Sequence, residues 1–255
     1  MERGLNSRIL GLSPRNLKKL LTTRLLWLLW IGAVLLFVGI WIHPVSDGRT
    51  RTAGVIVVPI IWLGLFGLLW SRRIVRYALL GFTAFCCVFS ALPGRANRDI
   101  PALREETVAG LRRYTGTRYY WGGESPKGID CSGLMRRGLI DGAFLRGVTS
   151  ADPGLVRYSI WLWWHDCSAA DLGSGRGATN RCFTIANING LDHSRLLPGD
   201  MAVTTTGVHV MAYVGGNSWI EADPNAGRVI VEKAPATDNE WFAVPMNIVR
   251  WRILE

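Results

Sequence analysis

Hydrophobic residues fall along this chain in two unlike patterns. Up to residue 93 they gather in three runs, 25–42, 53–70 and 77–93, each free of charged side chains and just long enough to cross a bilayer as a helix. Three transmembrane helices are predicted there. Trp27, Trp30, Trp41 and Trp70 lie toward the ends of the runs, where interfacial aromatics belong. A cleaved signal peptide fits poorly, because the first run exceeds the usual apolar stretch of one, no small-x-small cleavage site follows it, and two further runs come after.

Beyond residue 94 the pattern breaks into short segments. Residues 101–114 read as a helix with Pro101 near its start and Gly116 past its end, and residues 132–140 read as another. Segments 201–205, 208–214, 218–222, 229–233 and 247–253 read as strands separated by Gly, Asn or Pro turns, with 208–214 alternating like a half-buried strand. The expected class is α+β, helices packed on an antiparallel sheet. About 160 residues suffice for one core. The expected division is a basic segment 1–24, a membrane region 25–93, a linker 94–101 and a folded domain 102–255.

Charge orients this arrangement. The formal net charge is +10, yet residues 1–93 hold 11 Lys and Arg against 2 acids, while residues 94–255 hold 18 against 17. The excess therefore sits beside the apolar runs, where it attracts anionic lipid headgroups; it gives no reason to expect a nucleic-acid partner. Arg3, Arg8, Arg15, Lys18, Lys19 and Arg24 precede the first run and Arg72, Arg73 and Arg76 fill the second short loop, whereas the first loop has only Arg49 and Arg51 beside Asp47. By the positive-inside rule the N-terminus and second loop face the cytoplasm, so three crossings leave the C-terminal domain outside it. Leu5, Ile9, Leu12, Leu17 and Leu20, set among basic residues, fit either a surface amphipathic helix or a disordered basic tail.

The chemistry concentrates in residues 119–134, YYWGGESPKGIDCSGL. Gly122, Gly123 and Gly128 allow close approach of backbone to a ligand, Asp130 is a good helix N-cap, and Cys131 falls at the helix start, where free N–H groups and the helix dipole favour a thiolate nucleophile. A base is then needed. Of His43, His165, His193 and His209, the last alone lies in a strand, and a hairpin returning through Gly215, Gly216 and Asn217 can bring Glu221 beside it. Glu221 would fix the tautomer and orientation of the imidazole, as a third member of such a constellation does.

These residues resemble the NlpC-type cysteine peptidases of bacterial cell walls, a family with a compact papain-like fold. The resemblance runs through Tyr119-x-Trp121-Gly122-Gly123, Gly128-Ile129-Asp130-Cys131-Ser132-Gly133-Leu134, Leu197-Pro198-Gly199-Asp200, His209-Val210 and Tyr213-Val214-Gly215, in that order. It covers roughly residues 102–255 and implies Cys131 as nucleophile and His209 as base. Glu221 stands where the family usually has histidine, asparagine or glutamine; an acid there would stabilise the imidazolium more strongly and shift the working pH upward. Tyr119, Asp130 and Ser132 match positions that, in relatives, hold the free amino end of a peptidoglycan stem peptide. The implied activity is hydrolysis of the D-glutamyl-diamino acid bond, with a peptidoglycan peptide as substrate and no metal or organic cofactor. A thiol-dependent acyltransferase, a non-catalytic wall-binding module and a toxin with the same chemistry remain open as alternatives.

Two further expectations concern the segment between Cys131 and the Pro-Gly-Asp turn, which is longer than relatives usually show. Cys167 and Cys182 are the other cysteines of the domain, and in an oxidising compartment they would close a disulfide loop worth about 3 kcal/mol. His165, Cys167, Cys182 and His193 lack the close ligand pairs of a zinc site. Trp161, Trp163 and Trp164 either mark a lid or groove wall, or belong to a helix that buries Trp161 and Trp164 against the sheet.

Overall fold

The computed structural model describes residues 14–43 and 45–255. The described residues form two compact units, one of residues 14–42 and 50–87, the other of residues 43, 45–49 and 88–255. Of the N-terminal segment read as amphipathic, Leu5, Ile9 and Leu12 lie outside the described residues.

The first unit is made by three long apolar helices, α1 (Pro14–Ile42), α2 (Gly48–Leu68) and α3 (Arg73–Ala91). Each is long and apolar enough to cross a membrane. Their outward side chains, among them Leu28, Leu35, Leu63 and Phe85, are exposed. Polar tips join neighbours: the Trp30 indole donates to the Ile61 carbonyl at 2.9 Å, and that of Trp62 to Thr83 Oγ1 at 3.2 Å. Gly64 makes the first contact possible, since a Cβ there would stand 2.5 Å from Trp30 Cδ1.

The second unit packs helices on a six-stranded antiparallel sheet, as expected. Helix α4 (Ile100–Arg112) begins at the cap Asp99 and is followed by a small hairpin, β1 (Glu124–Ser125) with β2 (Gly128–Ile129). Helix α5 (Cys131–Thr149) runs well past residue 140, then come α6 (Pro153–Trp164) and α7 (Ala169–Ser174). The strands are β3 (Thr179–Ile185), β4 (Met201–Thr204), β5 (Val210–Gly215), β6 (Ser218–Asp223), β7 (Arg228–Lys233) and β8 (Met246–Trp251), in spatial order β3-β8-β4-β5-β6-β7.

The central strands are covered on both faces, which the half-buried reading of β5 did not anticipate. Val210, Ala212 and Val214 face a core with Leu134, Leu139 and Leu103, while Met211 and Tyr213 face a second cluster with Trp219, Phe242 and Ile248. The nucleophile helix is tied down by a buried cation. Arg136 on α5 pairs with Glu124 at 3.0 Å and Asp166 at 2.6 Å and donates to the Leu162 carbonyl at 2.7 Å, fixing α5 against β1 and the end of α6. Asp200, in the Pro-Gly-Asp turn, takes both Arg250 donors at 2.7 Å and so locks β4 to β8.

The proposed disulfide is absent, and both cysteines are free. Cys167 turns into the core beside α6 and α7, where burial pushes its thiol up to about 12. Cys182 occupies the irregular step between Arg181 and Phe183 on β3 and is exposed. One sulfur is inside and the other outside, so the chain separation that would suit a loop closure is not accompanied by facing side chains. Helix α6 likewise turns Leu155, Ser159 and Leu162 inward, not Trp161 and Trp164, which stay exposed.

Candidate active site

Cys131 is the first residue of α5, and its position is dictated by neighbours in sequence. Asp130 has extended backbone and caps the helix: its Oδ1 accepts from the Gly133 amide at 2.6 Å and from the Ser132 hydroxyl at 3.0 Å, and its Oδ2 from the Gly122 amide at 2.8 Å. Gly122 has φ +71°, a conformation that favours glycine, and a Cβ at Gly133 would collide with the Gly123 carbonyl. The Gly-rich approach is thus folded tightly under the first turn of α5. First-turn amides have no carbonyl partner within a helix, so donors are grouped where Cys131 sits.

His209 comes from a different part of the fold. It lies just before β5, in a short connection from β4 that Thr204 holds at both ends: Thr204 Oγ1 accepts from the amides of Val208 at 3.0 Å and His209 at 3.1 Å, and the Thr204 amide donates to the His209 carbonyl at 3.0 Å. The Cys131 side chain lies near enough to the imidazole to raise its affinity for a proton. On its other side the ring meets Glu221 of β6, with 2.5 Å between Nε2 and Oε2. That contact leaves Nδ1 as the nitrogen for the thiol.

Burial alone would lower the affinity of His209 for its proton. The neighbouring Cys131 and Glu221 side chains, the latter hydrogen-bonded to the ring, more than offset this and raise its pKa from 6.5 to about 9. His209 and Glu221 are each 1% exposed and Cys131 6%, so Cys131 is the member of the trio that solvent reaches most. Tyr119 is half-buried nearby, its hydroxyl pushed up to about 12 by burial and by the charges of Cys131, Asp130 and Asp223. The structure therefore gathers Tyr119, Asp130, Cys131, Ser132, His209 and Glu221 in one place.

Two residues of the same cluster have no readable signal in the sequence. Asn239, which caps a 3₁₀ turn (Glu240–Ala243), donates through Nδ2 to Glu221 Oε1 at 2.5 Å and to Glu232 Oε2 at 2.6 Å. Trp241 stacks on the His209 ring, with centroids 4.3 Å apart and planes 18° apart, and its indole reaches Asp223 at 3.4 Å. An Asn before an acid hints at a cap, but nothing local says that the cap lies against residues 209 and 221. Asn239 also lines an acidic hollow of about 400 Å³ with Asp223, Glu232, Asp238 and Glu240. Among the described residues there is no group of three or more His, Cys, Asp or Glu placed to hold a metal ion.

The family model described as the NlpC/P60 family matches residues 116–243, which include every residue of the trio. Solved structures that the chain resembles include NlpC1 from Trichomonas vaginalis, at 18% identity and a TM-score of 0.37, over 62% of this chain and 46% of that one. The P60 domain of an antigen from M. avium subspecies paratuberculosis matches at 20% identity and a TM-score of 0.39, over 61% of this chain and 98% of that one. The peptidoglycan hydrolase RipB from Mycobacterium tuberculosis matches at 22% identity and a TM-score of 0.39, over 66% of this chain and 71% of that one. This chain thus spans just under half of the Trichomonas protein's own length. No curated protein sequence gives a significant match.

Proposed function

This chain belongs to the NlpC/P60 family, and from that premise we propose that it is a membrane-anchored cysteine peptidase acting on peptidoglycan stem peptides. The observation that carries the proposal is that Cys131, at a helix start, lies beside the His209 ring and raises its proton affinity, while Glu221 holds the ring from the other side at 2.5 Å. In the proposed reaction the thiolate of Cys131 attacks the amide carbonyl, forming the C–S bond. Amides at the start of α5, including that of Cys131, stabilise the oxyanion. His209, protonated at the start, gives its proton to the leaving amine as the C–N bond breaks. It then takes a proton from water as that water attacks the thioester, returning the sulfur and the imidazolium to their starting state and releasing the acid.

Glu221 holds the ring and favours its charged form, consistent with the raised proton affinity of His209. Family resemblance points to the bond between D-glutamate and a diamino acid, with Tyr119, Asp130 and Ser132 near the free amino end. In this arrangement Asp130 has a double duty, since its oxygens already cap α5. Digestion of purified peptidoglycan by the full-length protein in detergent, with fragments identified by mass, tests activity and bond together. Wild type should release peptides with a new diamino-acid amino terminus and Cys131→Ala should release none; equal release by both would reject the assignment.

The proposed topology places the N-terminus in the cytoplasm and the family domain outside it, at a bacterial cytoplasmic membrane. Besides the charge pattern, this is supported by the loop between α1 and α2: Val45 bridges Gly123, and the Ser46 amide donates to the Gly122 carbonyl at 3.3 Å. That loop and the domain belong on one side of a bilayer, as three crossings require. A reporter fused after Glu255 should be active only outside the cytoplasm; activity inside would reverse the orientation.

A further inference from the structure

We propose that helix α6 lies on the surface of the bilayer, with Ile160, Trp161 and Trp164 in the headgroup layer. The inference rests on the reading of the apolar helices as membrane spans. Along α6, Arg157, Ile160, Trp161 and Trp164 recur at the three- and four-residue spacing of one helical face. The inward face is the buried one, with Leu155, Ser159 and Leu162, and the outward apolar residues are left 54%, 43% and 44% exposed at 160, 161 and 164. Large amphipathic rings of this kind are at home where one end meets hydrocarbon and the other water.

A second, independent observation says which surface they meet. Arg157 Nη1 donates at 2.7 Å to the carbonyls of Ser90 and of Leu92, the first in the last turn of α3 and the second just beyond it. The 19 residues of α3 rise by about 29 Å, the thickness of a hydrocarbon core, so these terminal carbonyls stand at the core boundary. Arg157 is therefore held at headgroup depth, and the apolar residues that share its face continue along that layer.

The chain leaving α3 is also fixed to the start of α6. Buried Asp152 accepts from the Arg95 amide at 3.1 Å, from Arg98 Nε at 3.1 Å and from the Gly154 amide at 2.8 Å. The linker is thereby clamped to the start of α6. Arg157 adds charge suited to lipid phosphates. On neighbouring α5, Phe144 and Val148, one turn apart, are exposed as well.

The test uses the full-length protein in vesicles of phosphatidylethanolamine and phosphatidylglycerol. The photocrosslinker p-benzoylphenylalanine replaces Trp161 in one variant, Ile160 in a second and Lys233, an exposed residue of β7, in a third. After irradiation, adducts are identified by mass, and flotation reports whether each variant is in the vesicles. Lipid adducts at 160 and 161, severalfold above the yield at 233, are expected. In floating vesicles, adducts at 160 and 161 to a second copy of the chain, or lipid yields no higher than at 233, would overturn the docking while leaving the membrane spans intact. Failure to float would overturn both.

Discussion

On the helix side of the site, Cys131 is placed by Asp130, Ser132, Gly133 and the Gly122–Gly123 corner, all within ten residues of it. On the sheet side, His209 is placed by Thr204, Glu221, Asn239 and Trp241, which come from three separate segments. The first half can form wherever α5 forms. The second exists only once β4, β5 and β6 are paired in register and the turn after Asn239 has docked. The nucleophile is thus a local property of the sequence, whereas its basic partner is a property of the finished sheet.

The comparison is broken most completely by removing a member that joins the halves. Cys131→Ala or His209→Ala should lower kcat by about four orders of magnitude or more, and the double variant should be no worse than either single one, because the two residues act as a unit. Fragment release from peptidoglycan measures this. A double variant far below both singles would mean that the residues act separately.

Loss of the carboxylate alone should be milder. Glu221→Gln keeps the shape but removes the charge facing His209, and kcat should fall by about a hundredfold. The alkaline limb of activity, set by deprotonation of His209, should lie near pH 9 in the wild type. It should move down by about one pH unit in the variant. A limb that does not move would show that Glu221 does not act through the ring.

Asn239→Ala should cost about tenfold in kcat with KM nearly unchanged, and about 1–3 kcal/mol of stability, since Glu221 and Glu232 both lose a buried donor. Urea unfolding beside kinetics separates the two effects. On the helix side, Asp130→Ala should cost about 1–2 kcal/mol of stability through the lost cap, visible as a lower unfolding midpoint.

The smallest effect is on stability against pH. Folded His209 keeps its added proton up to about pH 9, whereas the unfolded ring keeps it only below its ordinary 6.5. Its contribution is therefore complete below 6.5 and is lost as the pH rises through about 9. Urea midpoints should decline across that window, and less so in Glu221→Gln.

What could be read in the sequence follows the same division. The start of α5 was legible because an N-cap, a glycine approach and a cysteine stand together, and β5 and β6 because an apolar hairpin surrounds Gly215, Gly216 and Asn217. The three apolar helices were legible from composition, although each begins before its uncharged run does, since basic residues continue the helix. Strand β3, TNRCFTI, was not: it is an edge strand whose residues 180–182 are exposed and polar, and it exists because β8 pairs with it. Asn239 and Trp241 were missed because they reach the site by docking, which leaves no local periodicity. Cys167 and Cys182 were misjudged because separation along the chain says nothing about which way each sulfur points.

The most direct measurement is acid quenching of the full-length protein during turnover of a stem peptide, with peptide mass mapping of any acyl thioester. The account predicts an acyl group on Cys131 in the wild type, none on Cys86, Cys87, Cys167 or Cys182, and neither adduct nor product in Cys131→Ala. Product formation by Cys131→Ala, or an acyl group found on another cysteine, would contradict it.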